Sequence, residues 1–286
     1  IILLRRWVFS STPLARSTAR TLLARAFSAA ASPLAALLPG DCAVCGIPLK
    51  TLTLAPICDN CLTAPPVFVP EHFCEICRTP FLNASPLDER GLCALCRGGV
   101  TAFQAAYTYG AYEGRLRRLL HLFKYGGMTS LAAPMSAWLA RALPRDIRFD
   151  AIVPMPLHWW RFLRRGFNQS ARLARGLSRI TGIPSERLLI RTRRTKSQAS
   201  MTHAQRRANV RGAFRPRKRA KISGRRLLLL DDVLTTGATL NEAAATLRRA
   251  GAESVAIITL ARVDRRPAGP EFELAAHASP ARGRTS

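Results

Sequence analysis

The eight cysteines of this 286-residue chain fall into four Cys-x-x-Cys pairs, Cys42/Cys45, Cys58/Cys61, Cys74/Cys77 and Cys93/Cys96. Two-residue spacing lets both sulfurs of a knuckle reach one tetrahedral ion while backbone amides hydrogen-bond to them. Eight thiolates therefore suit two structural Zn2+ ions with no coordination position left open. Redox exchange, the other use of a single pair, normally opens a helix in a βαβ setting, which four copies on short irregular spacers do not resemble. Spacing leaves open whether the pairs combine sequentially or interleave. Thiolates kept reduced for metal suit a cytoplasmic location better than a secreted disulfide scaffold.

A second constellation is Leu227-Leu-Leu-Leu-Asp-Asp-Val-Leu-Thr-Thr-Gly-Ala-Thr-Leu240. An apolar strand delivers Asp231 and Asp232. A hydroxyl-rich turn of Thr235, Thr236, Gly237, Ala238 and Thr239 then feeds a helix start, where free N–H groups and the helix dipole favour a phosphate. The carboxylates would repel that phosphate and suit instead the cis-diol of a ribose beside it, so the pattern asks for a ribose 5-phosphate moiety. The alternative is purely local: the two Asp cap a turn, and Thr235, Thr236 and Thr239 cap the helix.

The surrounding elements must hold these groups. Leu116, Leu119, Leu120 and Phe123 recur at helical spacing within 113–125, and Gly126-Gly127 follows as a stop. Residues 151–156 predict a short buried strand running into a Pro-rich turn, 168–181 a helix ending before Gly182, and 187–190 a further apolar run. Residues 226–230 predict a strand, 231–239 a polar turn, 240–250 a helix and 254–260 a last strand. Strands separated by helices imply parallel pairing and an open α/β sheet with a cleft at the carboxyl ends of its strands.

Charge is unevenly distributed. The formal net charge is +27, and segment 157–226 holds 21 basic residues against one acid, Glu186. Such a segment can track a polyanion, which makes single-stranded DNA a candidate partner. Residues 41–99 carry six acids and four bases before the thiolates are counted, so the cysteine module is not the nucleic-acid face. Residues 1–40 have five Arg and no acid, the composition of a transit peptide, and are expected to be a basic, disordered leader. Arg5, Arg6, Arg16, Arg20 and Arg25 interrupt its apolar stretches, and no membrane-spanning segment is expected. Residues 264–286, rich in Pro, Ala and Arg, are expected to be a disordered tail.

The 227–239 motif resembles the phosphoribosyl pyrophosphate (PRPP) binding motif of type I phosphoribosyltransferases. Within that superfamily, Val153-Pro-Met-Pro-Leu-His158, Arg165-Gly-Phe-Asn-Gln169, Arg194-Thr-Lys-Ser-Gln198 and Arg207-Ala-Asn-Val-Arg-Gly-Ala-Phe214 resemble the ComF family. The resemblance runs from Cys42 to about Arg262. It implies an α/β, type I phosphoribosyltransferase-like open, mainly parallel sheet with flanking helices at 100–263, preceded by an N-terminal double zinc ribbon at 41–99. It further implies that Asp231 and Asp232 bind the ribose hydroxyls and act as the catalytic carboxylates, and that residues 235–239 bind the 5-phosphate. The turn containing Pro154 would meet pyrophosphate, with Mg2+ bridging. The mobile loop of such enzymes would be the basic stretch near 191–215, from which Arg194 and Lys196 could close over pyrophosphate; the plain alternative for either is a solvated charge.

Arg165, Asn168 and Gln169 form either a ligand-facing turn or a helix N-terminus capped by Asn168. His158 and His203 read as loop residues, and Trp159 and Trp160 as packing residues, with stacking on a base the alternative. The donor half of a transferase site is legible, whereas no segment announces an acceptor-binding hood. The family resemblance implies natural transformation and the handling of incoming single-stranded DNA, assisted by PRPP binding. The alternatives are an active phosphoribosyltransferase using a small nitrogenous acceptor, and a zinc module that docks a helicase or channel of the uptake machinery.

Overall fold

A computed structural model describes residues 40–49, 56–63, 71–81, 84, 87–98, 101–157, 166–193 and 209–263. The expected leader up to Pro39 and the tail, as well as His158, Trp159, Trp160, Arg165, Arg194, Lys196 and His203, lie outside the described residues. Contacts divide the chain into two compact units, Ile1–Ala64 and Pro65–Ser286, so the boundary falls between the second and third cysteine pairs. The first unit contains a knuckle closed by pairing of Asp41 with Pro48, then a one-turn helix α1, Asp59–Thr63.

The second unit begins with a small antiparallel hairpin, β1 (His72–Phe73) with β2 (Pro80–Phe81), and a short helix α2, Ala94–Arg97. Its centre is a four-stranded parallel sheet. The strands are β3 (Ala105–Ala111), β4 (Ala151–Pro154), β7 (Arg226–Leu234) and β8 (Ser254–Arg262), in spatial order β3-β8-β7-β4. The two central strands read as continuous apolar runs because both of their faces are covered. Leu227 and Leu229 share a buried cluster with Ala243, Ala244 and Leu247 of helix α6, Ala238–Arg249. The remaining helices are α3 (Gly114–Tyr125), α4 (Ala132–Ala142) and α5 (Gln169–Thr181), and α4 packs on α5. That packing is close: a Cβ on Gly176 of α5 would stand 2.7 Å from Ser136 Cβ of α4.

Helix α3 buries the four residues its spacing predicts, Leu116, Leu119, Leu120 and Phe123. Three features differ from the sequence expectation. The strand expected to stop at Leu230 continues to Leu234, with Asp231 opposite Thr259 and Val233 opposite Ala261. Pairing with β8 holds the backbone extended through the acid pair, so the turn shrinks to residues 235–237 and the helix begins at Ala238 rather than Leu240. The apolar run near 190 does not join the main sheet: β5 (Leu189–Arg191) pairs antiparallel with β6 (Phe214–Pro216) as a separate ribbon. Strand β3 and helix α4 carry no strong periodic signal, yet β3 is an edge of the sheet and α4 buries Met135, Trp138 and Leu139.

Candidate functional site

The carboxyl ends of β7 and β4 and the first turns of α5 and α6 enclose a cavity of about 280 Å³. In open α/β sheets this end of the strands is where ligands bind. Asp231, Asp232, Thr235, Gly237 and Thr239 line it, together with Met155, Pro156 and Leu157 from the turn after β4. Pro154 is the last residue of β4, buried and paired with Leu230, and the three residues after it supply the wall.

The two carboxylates have different surroundings. Asp231 Oδ1 accepts hydrogen bonds from Ser170 Oγ at 2.8 Å and from the Asp232 N–H at 3.0 Å. Burial, seconded by the neighbouring Asp232 charge, outweighs those donors and pushes the Asp231 carboxyl up to about 6. Asp232 Oδ1 lies 3.0 Å from Lys124 Nζ, in an ion pair whose side chains are 13% and 12% exposed. Burial acts to depress the Lys124 ammonium, but attraction to Asp232 prevails and holds it above the usual lysine range.

At the opposite wall, Gly237 adopts a left-handed φ of 75° as the residue before α6. A side chain at that φ would strain the turn. Gly237 supplies no side-chain cap, and the start of α6 lines the cavity with the anion-receptive end of its dipole. Thr236 Oγ1 is buried without a hydrogen-bond partner, and so is Gln169 Nε2 of the 1%-exposed Gln169, which lines the cavity at the start of α5. Ala238 opens α6 and is buried.

Of the Asn168 alternatives, the structure favours the local one. Its Oδ1 accepts from the Ala171 N–H at 3.1 Å and its amide donates to Met155 O at 3.1 Å, which locks the turn after β4 onto the start of α5. Sequence reasoning missed Lys124 and Ser170 as lining residues, while Arg191, at the start of the expected loop, does line the cavity. Lys124 stands four residues beyond the buried Leu120, at the edge of the apolar stripe of α3, and a charge in that position was the available signal.

The cysteines form two clusters, Cys42, Cys45, Cys58 and Cys61, then Cys74, Cys77, Cys93 and Cys96, each with its four sulfurs within 4.8 Å of one another. The pairs therefore combine sequentially. The two clusters repeat one design: the Cys58 N–H donates to Cys42 Sγ at 3.4 Å, and the Cys93 N–H to Cys74 Sγ at 3.3 Å. Cys45 and Cys58 sulfurs are 3.6 Å apart, as are those of Cys77 and Cys93. Four sulfurs about 2.3 Å from a tetrahedral ion would be separated by about 3.8 Å. Burial and the other thiols push Cys61 well above the usual thiol range, and burial pushes Cys96 up to about 11. Sulfurs this close resist ionising together without a divalent cation among them, so the donor set fits Zn2+.

Residues 163–276 match the family model described as Phosphoribosyl transferase domain. The chain is 32% identical over 231 residues to the DNA utilization protein YhgH of Escherichia coli O157:H7, covering 78% of this chain and 97% of that one. It is 39% identical over 179 residues to Competence protein F of Haemophilus influenzae, covering 59% and 78%. With Competence protein ComFC of Streptococcus pneumoniae it shares 28% identity over 233 residues, covering 77% and 99%.

Proposed function

The chain belongs to the ComF family, and from that premise we propose that it binds PRPP with Mg2+ and assists the handling of single-stranded DNA during uptake. One observation carries the ligand reading: a carboxylate pair at the end of a buried strand and the glycine-led start of α6 line one cavity. A ribose 5-phosphate has the complementary polarity, with hydroxyls for Asp231 and Asp232 and a phosphate for residues 235–239. Asp232 is already neutralised by Lys124. Mg2+ would therefore enter with the diphosphate oxygens of the ligand, and it would supply charge neutralisation there. Two Zn2+ ions would occupy the cysteine clusters.

The DNA reading draws on the relatives' names and on exposed charge. Arg193, Arg211, Arg215, Arg217, Lys218, Arg219 and Lys221 are all exposed in the described part of the basic segment. Segment 157–226 as a whole carries +20. The one acid within it, Glu186, is taken up by Arg225 at 2.7 Å, and Arg226 pairs with Asp150 outside it. An active transferase is the second reading, supported by the acid pair and the 235–239 turn lining one cavity.

Calorimetric titration tests the proposal. PRPP with Mg2+ should bind, and Asp231→Asn/Asp232→Asn should weaken it by on the order of 2 to 4 kcal/mol, two charged hydrogen-bonding groups being lost. Unchanged affinity in that variant would overturn the site assignment. Turnover of PRPP with a nitrogenous acceptor would establish the transferase reading.

A further inference from the structure

The second cysteine cluster is wired into the same unit as the cavity, and the wiring ends at the turn that faces the ligand. Thr101 Oγ1 lies 2.9 Å from Cys96 Sγ, so its hydroxyl can donate to a cysteine thiolate. The next residue, Ala102, donates its N–H to Asn241 Oδ1 at 2.8 Å. Asn241 is 5% exposed and belongs to the first turn of α6, where its own N–H donates to Gly237 O at 2.7 Å. A chain of three contacts thus joins a metal-ligating sulfur to the residue whose left-handed φ sets the turn. Packing follows the same route. Cys74, Cys77, Cys93 and Cys96 share one buried cluster with Leu240, Ala243 and Ala244 of α6, and Ala102 packs against it. Groups that hydrogen-bond to metal ligands orient those ligands, and the contact constrains both partners.

We propose that Thr101 and Asn241 are positioning residues that couple metal occupancy of the Cys74/Cys77/Cys93/Cys96 site to the geometry of the 235–241 turn, and so to binding of a phosphate-bearing ligand. The ligand half of this statement rests on residues 235–239 being the phosphate turn; the coupling of metal to turn does not. With the metal bound, Cys96 is fixed as a thiolate, Thr101 is held by it, and Ala102 fixes Asn241 at the start of α6. Without it, four crowded thiols repack and the anchor of that first turn slackens. The Cys42/Cys45/Cys58/Cys61 cluster belongs to the other unit. Equilibrium coupling acts equally in both directions, so a ligand seated on the turn should also retain the metal.

Two measurements on the full zinc-loaded chain decide it. Hydrogen exchange needs no ligand: stripping zinc with a chelator should accelerate exchange of the 241–244 amides, the first hydrogen-bonded ones of α6, at least tenfold, while α3 amides stay within twofold. In Thr101→Val and Asn241→Leu that difference between loaded and stripped protein should shrink to within threefold, and Thr101→Ser, which keeps the hydroxyl, should restore it. Equal protection of these amides with and without zinc, or acceleration across the whole unit, would overturn the coupling. Zinc release to a chromogenic chelator, followed in a Cys42→Ser/Cys45→Ser background so that only the second site reports, supplies the reciprocal arm. Saturating PRPP with Mg2+ should slow release about five- to tenfold, and Thr101→Val should abolish the effect. If calorimetry shows the ligand bound while release is unchanged, the link to ligand binding is wrong. If calorimetry shows no binding, the ligand reading has failed and the exchange experiment alone judges the coupling.

Discussion

Lys124 Nζ stands 3.0 Å from Asp232 Oδ1, which joins the last turn of α3 to the end of β7 across more than a hundred residues of sequence. The pair makes the two adjacent carboxylates unequal. Asp232 has a cation, while Asp231 is left to burial and to Ser170. Removing the cation by Lys124→Met should push the Asp231 carboxyl further up and weaken PRPP binding by about 10- to 100-fold, on the order of 1.5 to 3 kcal/mol for one charge-assisted contact. Isothermal titration at pH 8, above the raised Asp231 value, gives the comparison.

Asp231 sets a pH dependence. Its carboxyl is raised to about 6 by burial and then by Asp232, so the fold favours the protonated form. Its stabilising contribution is present below the ordinary carboxylate range and is lost as pH rises through about 6. Asp231→Asn should therefore gain stability relative to the parent above pH 7, by on the order of 2 kcal/mol, with little gain at pH 4. Ligand binding should run the other way. A ribose hydroxyl and Mg2+ both prefer the carboxylate, so affinity should climb up to tenfold per pH unit below about 6 and level off above it. Asp231→Asn serves as the control for ionisation of the ligand's own phosphates. Denaturant melts and titrations from pH 4 to pH 8 measure both.

The two cysteine clusters should differ in what they support. Elemental analysis should find two zinc ions per chain. Cys42→Ser/Cys45→Ser should lose one ion and leave the melt of the Pro65–Ser286 unit in place. Cys74→Ser/Cys77→Ser should lower that melt, by on the order of 4 kcal/mol or more, because its four sulfurs are part of the buried core of that unit. Zinc content near zero, with eight titratable thiols, would remove the structural-metal reading.

Single-stranded DNA should bind with a salt dependence set by the exposed bases. For about five phosphate contacts, log affinity should fall against log salt with a slope near −3.5. Neutralising Arg215, Arg217 and Lys218 together as Gln should flatten that slope by roughly two. A shallow slope that ignores this triple variant would favour the small-molecule transferase reading.

Gly176→Ala tests the contact between α4 and α5. The added Cβ would meet Ser136 Cβ at 2.7 Å, so the helices must part, and the expected loss is about 1 to 3 kcal/mol in a denaturant melt. Gly176→Ala/Ser136→Gly should recover part of it, because the second change removes the obstructing atoms.

Local chemistry made much of this protein legible from its residues alone. The apolar stripe of α3, the capping of α5 by Asn168 and the stop at Gly182 each depend on residues within a few positions of one another. So do the acid pair at the end of β7 and the glycine before α6. Tertiary structure decided what depends on distant partners. Spacing could not pair the cysteines, because sequential and interleaved sites ask the same of each knuckle; the folding of Cys42 to Cys61 into one cluster and Cys74 to Cys96 into another settled it. Nor could it extend β7 past Leu230, since two aspartates argue for a turn until β8 supplies the ladder that keeps them extended. By sequence, Lys124 is one more base on a helix rich in them. It becomes part of the site only because the sheet carries Asp232 to the end of α3, where a charge withdrawn from water must find its counterion.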